Sequence, residues 1–84
     1  MSLGEKFDEA AERVKSLSDR PSNETLLELY ALFKQGSVGD VQGKRPGMLD
    51  MKGRAKWDAW NNLKGTGQED AKQRYVDLVD RLVG

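Results

Sequence analysis

The sequence predicts an all-α domain built from four helices, and three observations carry this prediction. Apolar residues recur every three or four positions in four separate stretches, which is the spacing of amphipathic helices. No stretch alternates apolar and polar residues in the way that a half-buried β-strand does. At 84 residues the chain has room for one small core, so we expect residues 1–84 to form a single domain.

The first helix is predicted over residues 3–17, where the apolar positions follow helical spacing. Ser2 and Glu5 lie three residues apart at its start and match a capping box, in which each side chain bonds the backbone of the other. Residues 18–21 break the pattern with Pro21. The first helix should therefore end before this proline.

A second helix should begin directly after Pro21, with Ser22 or Asn23 as its N-cap. Its apolar stripe is wide, which indicates burial on more than one side. The helix is expected to fade near residues 35–37, where Gly36 and Gly39 permit a turn.

Residues 38–49 are predicted to form a long loop between the second and third helices. Pro46 and Gly47 suit the central positions of a type II turn. A loop of this length is uncommon in so small a domain, and such loops are often functional, although a plain connector between distant helix ends has equal support.

The third helix is predicted from Asp50 to Leu63. Trp57 and Trp60 lie three residues apart and are expected to serve mostly as framework in the core. Gly53 costs about 1 kcal/mol relative to alanine inside a helix, which indicates either a tight packing contact or the close approach of a ligand.

Thr66 and Glu69 match a second capping box and predict the start of the fourth helix. Apolar residues continue at helical spacing from Ala71 to Leu82. The predicted fold is thus all-α throughout.

Composition excludes several classes of site. The chain contains neither cysteine nor histidine, which removes disulfides, cysteine-type zinc sites and the commonest general base. One third of the residues are charged and the mean hydropathy is −0.75, which argues against a membrane span. No signal-peptide pattern opens the sequence, so we expect a cytoplasmic protein.

Fourteen basic and fourteen acidic residues give a net charge of zero, but the charges are unevenly distributed. Residues 34–64 carry seven basic and three acidic side chains, between two acidic flanks. This basic segment indicates an anion-binding site, although a merely solvated charged face is equally compatible with the counts.

Aromatic and basic residues coincide on the predicted second and third helices. Tyr30, Phe33 and Lys34 fall within one turn, and Lys52 and Lys56 add two ammonium groups from another helix. Rings that stack on a nucleobase and lysines that neutralise phosphates suit a nucleotide-like ligand. Core aromatics beside solvated lysines are the simpler alternative.

Known catalytic and nucleic-acid motifs do not occur in the sequence. There is no phosphate-binding glycine loop, no zinc-protease motif, no calcium loop and no carboxylate pair that stands out as an acid/base dyad. We therefore expect a protein that is not an enzyme. A DNA-reading third helix is disfavoured, because the helix also carries Asp50 and Asp58 and the net charge is zero.

Three segments of the middle region carry a specific resemblance. They read KQGSVGD at residues 34–40, RPGMLD at residues 45–50 and KGRAKWDAW at residues 52–60. Together they closely resemble the acyl-CoA-binding protein family, also called the diazepam-binding inhibitor family. The resemblance extends from about Phe7 to Leu82 without insertions.

The resemblance implies a four-helix bundle of up-down-down-up topology, with the long loop between helices two and three. It implies reversible, non-catalytic binding of medium- and long-chain acyl-CoA esters by a monomeric intracellular carrier that forms a pool of the ester and transports this lipid to enzymes. No cofactor, metal or nucleic acid is implied. Transient contact with acyl-CoA-using enzymes or with membranes is expected.

Carried over by position, the resemblance also implies a set of ligand-binding residues. Tyr30 and Phe33 would lie by the adenine, and Lys34 and Lys56 would meet the 3′-phosphate region. Phe33 stands where many members have tyrosine, and Met51 replaces the phenylalanine common in the family's motif, near the acyl chain. The complete implied set is Lys15, Tyr30, Phe33, Lys34, Met51, Lys56 and Tyr75.

Overall fold

Four α-helices account for most of the chain, and the computed structural model describes all 84 residues. The prediction of an all-α fold with four helices is confirmed, and no strand is present. None of the helices is both long and apolar enough to cross a membrane. The helices are α1 (Leu3–Arg13), α2 (Asn23–Ser37), α3 (Met51–Asn61) and α4 (Gln68–Val83), and a 3-10 turn (Val14–Ser16) extends α1.

Side chains cap the first three helices. The capping box predicted at the start of α1 is confirmed, because Ser2 Oγ accepts the N–H of Glu5 at 3.2 Å and the Glu5 carboxylate accepts the N–H of Ser2, also at 3.2 Å. Ser22, the first of the two predicted alternatives, caps α2 by accepting the N–H of Thr25. These caps satisfy N–H groups that have no partner within the helix.

The capping box predicted for α4 is wrong. The helix begins at Gln68 after Gly67, and no side chain caps it. Thr66 belongs instead to the preceding turn, where its N–H donates to Leu63 O and its carbonyl accepts from Gln35 Nε2. These two bonds hold Thr66 out of the cap position.

The type II turn predicted at residues 46–47 is also wrong. Gly47 does not have the positive φ that such a turn needs at its third position. The turn lies two residues further on, where the N–H of Asp50 donates to Gly47 O at 3.1 Å around Met48 and Leu49. In this register Asp50 closes the turn through its N–H and caps α3 through its side chain.

The first and third helices are shorter than predicted. The α-helical part of α1 ends at Arg13, and Ser16 Oγ donates to the carbonyl of Arg13 at 2.7 Å as the chain tightens into the 3-10 turn. The third helix ends at Asn61 rather than Leu63, and turns follow it up to Gly65.

The core lies where α4 packs against both α1 and α2, while α3 packs on α2 alone. Phe7 and Tyr75 meet edge-to-face at 5.1 Å between ring centroids, which joins α1 to α4. Helix α2 thus packs between α3 and α4. The buried core residues are Phe7, Ala10, Leu29, Leu32, Ala71, Tyr75, Val76, Leu78 and Val79.

A buried polar network fixes the start of the α2–α3 loop. Gln35 has no exposed surface, and its Nε2 donates to Asp40 Oδ1 at 2.9 Å and to Thr66 O at 2.8 Å. Asp40 also accepts the N–H of Gly65 at 2.9 Å. Hydrogen bonds from the N–H of Gly65 and from Gln35 lower the pKa of the Asp40 carboxyl below its ordinary value. The network ties the end of α2 to the α3–α4 turn.

Candidate functional site

An open pocket of about 440 Å³ lies between α2 and α3. Five of its nine lining residues are apolar, three are cationic and none is acidic. Such a site combines an apolar surface with positive charge, which suits a ligand that is both anionic and apolar. The lining residues are Arg20, Asn23, Leu26, Leu27, Tyr30, Met51, Lys52, Ala55 and Lys56.

Helical spacing places these side chains together. Met51 and Ala55 lie one turn apart on α3, as do Lys52 and Lys56, so both pairs face the same groove. Lys56 Nζ lies 5.4 Å from the centroid of the Tyr30 ring across that groove. A cation over a ring face is attracted by the ring's quadrupole, so Tyr30 holds this ammonium group in the pocket.

Lys34 occupies a separate position over Trp60, with Nζ at 5.3 Å from the ring centroid. Trp60 is buried and its Nε1 donates to Gly39 O at 2.8 Å, so the prediction that it is framework is confirmed. Lys34 lines neither this pocket nor the second pocket described below. It nevertheless belongs to α2, one turn beyond Tyr30.

A second open pocket, of about 500 Å³, lies between α1, α2 and α4. Phe33 and Tyr75 line it, with ring centroids 5.8 Å apart, and Phe33 also stacks on Phe7 at 5.4 Å. Burial raises the pKa of the Tyr75 hydroxyl, so this group stays protonated at neutral pH. The lining residues are Asp8, Ala11, Glu12, Val14, Lys15, Phe33 and Tyr75.

The second pocket carries mixed charge. Lys15 Nζ forms an ion pair with Glu12 at 3.2 Å, and Asp8 adds a further carboxylate. The electrostatic character therefore differs from that of the first pocket, which has cations alone. A flat or neutral group suits the second pocket better than a phosphate does.

The ligand-binding residues implied by the resemblance fall into three groups. Tyr30, Met51 and Lys56 line the first pocket. Lys15, Phe33 and Tyr75 line the second pocket. Lys34 lies on the same helix as Tyr30 but over Trp60, outside both pockets.

Two cations of the first pocket lie outside the residue set that the resemblance implies, although helical spacing singled out one of them, Lys52, together with Lys56. Arg20 lies in the connection after α1, where its guanidinium donates to Asn23 Oδ1 at 2.8 Å. No periodic pattern marks such a position in a sequence. Lys52 was recognisable from its spacing to Lys56, which places both on one face of α3.

Gly53 and an ion pair hold α3 and its loop in place. Of the two alternatives for Gly53, the tight contact is the one observed. A Cβ at this position would collide with the Asp50 carboxylate, whose Oδ1 accepts the N–H of Gly53 at 3.0 Å.

Arg45 of the loop binds Asp58 of α3 through two hydrogen bonds of 2.7 Å. The hydrogen bond from Arg45 lowers the pKa of the Asp58 carboxyl.

No three His, Cys, Asp or Glu side chains are grouped so that they could hold a metal ion. The polar groups that line the two pockets are the side chains of lysine, arginine, asparagine, tyrosine and carboxylate residues. Their chemistry is that of ion pairing, hydrogen bonding and ring stacking with an organic ligand.

Comparison with known proteins gives one consistent family. A family model described as "Acyl CoA binding protein" matches residues 4–79. The chain is 56% identical over 81 residues to an acyl-CoA-binding protein homolog of Drosophila melanogaster, which covers 96% of this chain and 94% of that protein. It is 53% identical over 77 residues to the acyl-CoA-binding protein of Saccharomyces cerevisiae, which covers 92% and 88%.

Solved structures agree with the sequence comparisons. The crystal structure of Oryza sativa Acyl-CoA-Binding Protein 2 superposes with a TM-score of 0.92 at 46% identity, covering 96% of this chain and 90% of that one. The solution structure of the yeast protein superposes with a TM-score of 0.74 at 53% identity, covering 92% and 90%. With the family model spanning most of its length, the chain belongs to the acyl-CoA-binding protein family.

Proposed function

We propose that this protein binds medium- and long-chain acyl-CoA esters reversibly and serves as their carrier and pool. The observation that carries the proposal is the first pocket, which offers five apolar and three cationic side chains and no carboxylate. Acyl-CoA combines a polyanionic head with an apolar tail. Family membership and the names of the relatives support the same ligand.

The two ends of such a ligand require different surfaces. Burial of the tail contributes about 0.8 kcal/mol per methylene, so fourteen methylenes supply on the order of 10 kcal/mol before the cost of association. We assign the tail to the apolar side of the first pocket, by Met51 and Ala55. Lys56 is assigned to the phosphates, together with Lys34 at the adjoining turn of α2.

The flat adenine would reach towards the second pocket. Tyr30 and Phe33 lie three residues apart on α2, which is about 4.5 Å along the helix axis, so one ligand can contact both pockets. The rings of Phe33 and Tyr75 offer a stacking surface there. Lys15 lies on the same pocket and is assigned to the head group.

The ligand is proposed to leave chemically unchanged. No carboxylate lines the first pocket, and the chain has neither histidine nor cysteine to act as a base or nucleophile. Chromatography of the ester recovered after long incubation should show intact acyl-CoA. Release of free CoA that one point mutation abolishes without weakening binding would contradict this part of the proposal.

Calorimetric titration with palmitoyl-CoA tests the binding itself. We expect one molecule of ester per chain, and much weaker binding of free CoA, because the tail supplies most of the free energy. Lys56→Met should weaken binding by about 1–3 kcal/mol, since it removes charge-assisted hydrogen bonds from the cation that we assign to the ligand's phosphates. Lys6→Met, which removes the same charge from an exposed position on α1, is the matched control. Absence of any heat at micromolar palmitoyl-CoA would overturn the proposal.

A further inference from the structure

The α2–α3 loop presents an apolar tip at its end. Met48, Leu49 and Met51 have relative exposures of 77%, 106% and 76%, and no other part of the chain places three large apolar side chains so exposed within four residues. Single exposed apolar residues are normal on a protein surface. A group of them at one place marks a surface that meets something apolar.

The fold holds this tip away from the core. The hydrogen bond from the Asp50 N–H to Gly47 O closes the turn around Met48 and Leu49, and the Asp50 side chain caps α3. Behind the turn, Arg45 is fixed to Asp58 of α3 by two hydrogen bonds. The tip is therefore carried by a hydrogen-bonded turn at the start of α3, and its apolar side chains are exposed.

Cations surround the tip. Residues 44–56 carry five basic side chains and one acidic, and the one acidic residue, Asp50, is engaged in the helix cap. Lys44 and Lys52 flank the tip, are exposed and form no ion pair. Apolar side chains next to lysines suit the boundary between headgroups and acyl chains of an anionic bilayer. Lysine is depleted in protein–protein interfaces, which disfavours a protein partner.

We propose that this tip, formed by Met48, Leu49 and Met51 with Lys44 and Lys52, docks on anionic lipid bilayers. Met51 and Lys52 also line the first pocket, so docking would place the pocket mouth at the membrane surface. An acyl chain could then pass between bilayer and pocket with little exposure to water. This functional consequence rests on the proposed carrier role, whereas docking itself does not require acyl-CoA.

Vesicle sedimentation of the full chain without acyl-CoA tests the docking. We expect binding to vesicles of phosphatidylcholine with phosphatidylserine to exceed binding to phosphatidylcholine alone, and to weaken as salt is raised. Lys44→Gln should weaken binding about fivefold, because each cation near an anionic surface contributes on the order of 1 kcal/mol. Leu49→Ser should weaken it about tenfold through lost apolar burial. The matched controls, Lys6→Gln and Val38→Ser, alter an exposed cation and an exposed apolar side chain outside the tip and should bind as the wild type does.

A second measurement locates the contact. The chain has no cysteine, so Leu49→Cys creates a single attachment site for an environment-sensitive dye. Its fluorescence should shift to the blue on anionic vesicles, whereas a dye at Val83→Cys, on the exposed end of α4, should not shift. Any one of three outcomes would overturn the proposal: equal binding to both vesicle types, Leu49→Ser binding as tightly as the wild type, or a fluorescence shift of the dye at residue 83 alone.

Titrations with palmitoyl-CoA in the absence of vesicles separate this proposal from the carrier function. Leu49→Ser is expected to bind the ester within about twofold of the wild type, because Leu49 does not line either pocket. Equal loss of vesicle and ester binding would assign the tip to the ligand site and overturn docking. Vesicle binding by a protein that fails to bind the ester would uphold docking and overturn the carrier function.

Discussion

Replacement of Gln35 by methionine tests whether the buried polar network holds the bundle together. Gln35 is the one polar residue whose side chain is fully buried, and it links α2 to the α3–α4 turn through Asp40 and Thr66. Methionine has a similar volume and flexible geometry, so the change leaves no large cavity. What the variant loses is the pair of hydrogen bonds from Nε2.

The expected cost follows from those two bonds. Each contributes about 1 kcal/mol net, and the acceptors left behind are only half-buried at Thr66 and exposed at Asp40, so water can replace the lost donors. The substitution also removes Gln35 Oε1, which is buried without a partner, and this offsets part of the loss. We expect Gln35→Met to lower the free energy of unfolding by about 1–2 kcal/mol, which corresponds to roughly 5–15 °C in Tm for a domain of this size.

Urea unfolding followed by helical circular dichroism measures this change. Gln73→Met is the matched control, since Gln73 is exposed on α4 and bonds only to Asp77 one turn away. The control should stay within about 0.5 kcal/mol of the wild type, as surface substitutions do. A Gln35→Met protein as stable as the wild type, or more stable, would refute the reasoning that the network stabilises the fold.

Two further predictions concern α3 and acid unfolding. Gly53→Ala should not raise the free energy of unfolding by the roughly 1 kcal/mol that alanine normally adds to a helix, because the new Cβ would displace the Asp50 cap, which is worth about the same. In the Asp50→Ala background the same change should raise the free energy of unfolding by about 1 kcal/mol. Equal effects in the two backgrounds, measured by thermal unfolding, would contradict the contact between residue 53 and Asp50. The pKa values of Asp40 and Asp58 lie below their ordinary value of 3.8 in the folded chain, so the stability that these carboxylates supply is present above pH 3.8 and is lost as pH falls through the folded pKa values. The free energy of unfolding should therefore decrease as the pH is lowered below 3.8, and Asp58→Asn should make this decrease less steep. An unchanged slope in that variant would contradict the assignment of part of the pH dependence to the ion pair of Arg45 and Asp58.

Local signals in the sequence were sufficient to predict the four helices but not all of their boundaries. The capping box of Ser2 and Glu5 forms because its groups are three residues apart and no distant residue competes for them. The matching pattern at Thr66 fails because other groups engage its backbone: Leu63 O accepts the N–H that Glu69 would need, and Gln35, 31 residues away, donates to its carbonyl. A contact of that kind depends on tertiary packing, which no local pattern encodes.

The same distinction applies to the candidate site. Spacing on α3 placed Lys56 correctly on the face of the groove, since helical geometry alone decides which residues share a face. Arg20 could not be placed in this way, because it lies between α1 and α2, where the direction of the chain is set by packing. Nor could spacing show that Tyr30 and Phe33, one turn apart, line different pockets.

The two cations assigned to the ligand's phosphates differ from Lys15 and Arg45 in what holds them. Lys34 lies over Trp60 and Lys56 over Tyr30, whereas Lys15 and Arg45 are paired with carboxylates. An aromatic ring restricts the motion of an ammonium group without neutralising its charge. An anion that meets Lys34 or Lys56 therefore breaks no ion pair, and part of the ordering cost of these long side chains is already met in the free protein. Head-group binding at these two lysines should for this reason be less costly than at Lys15, where the ligand must displace Glu12.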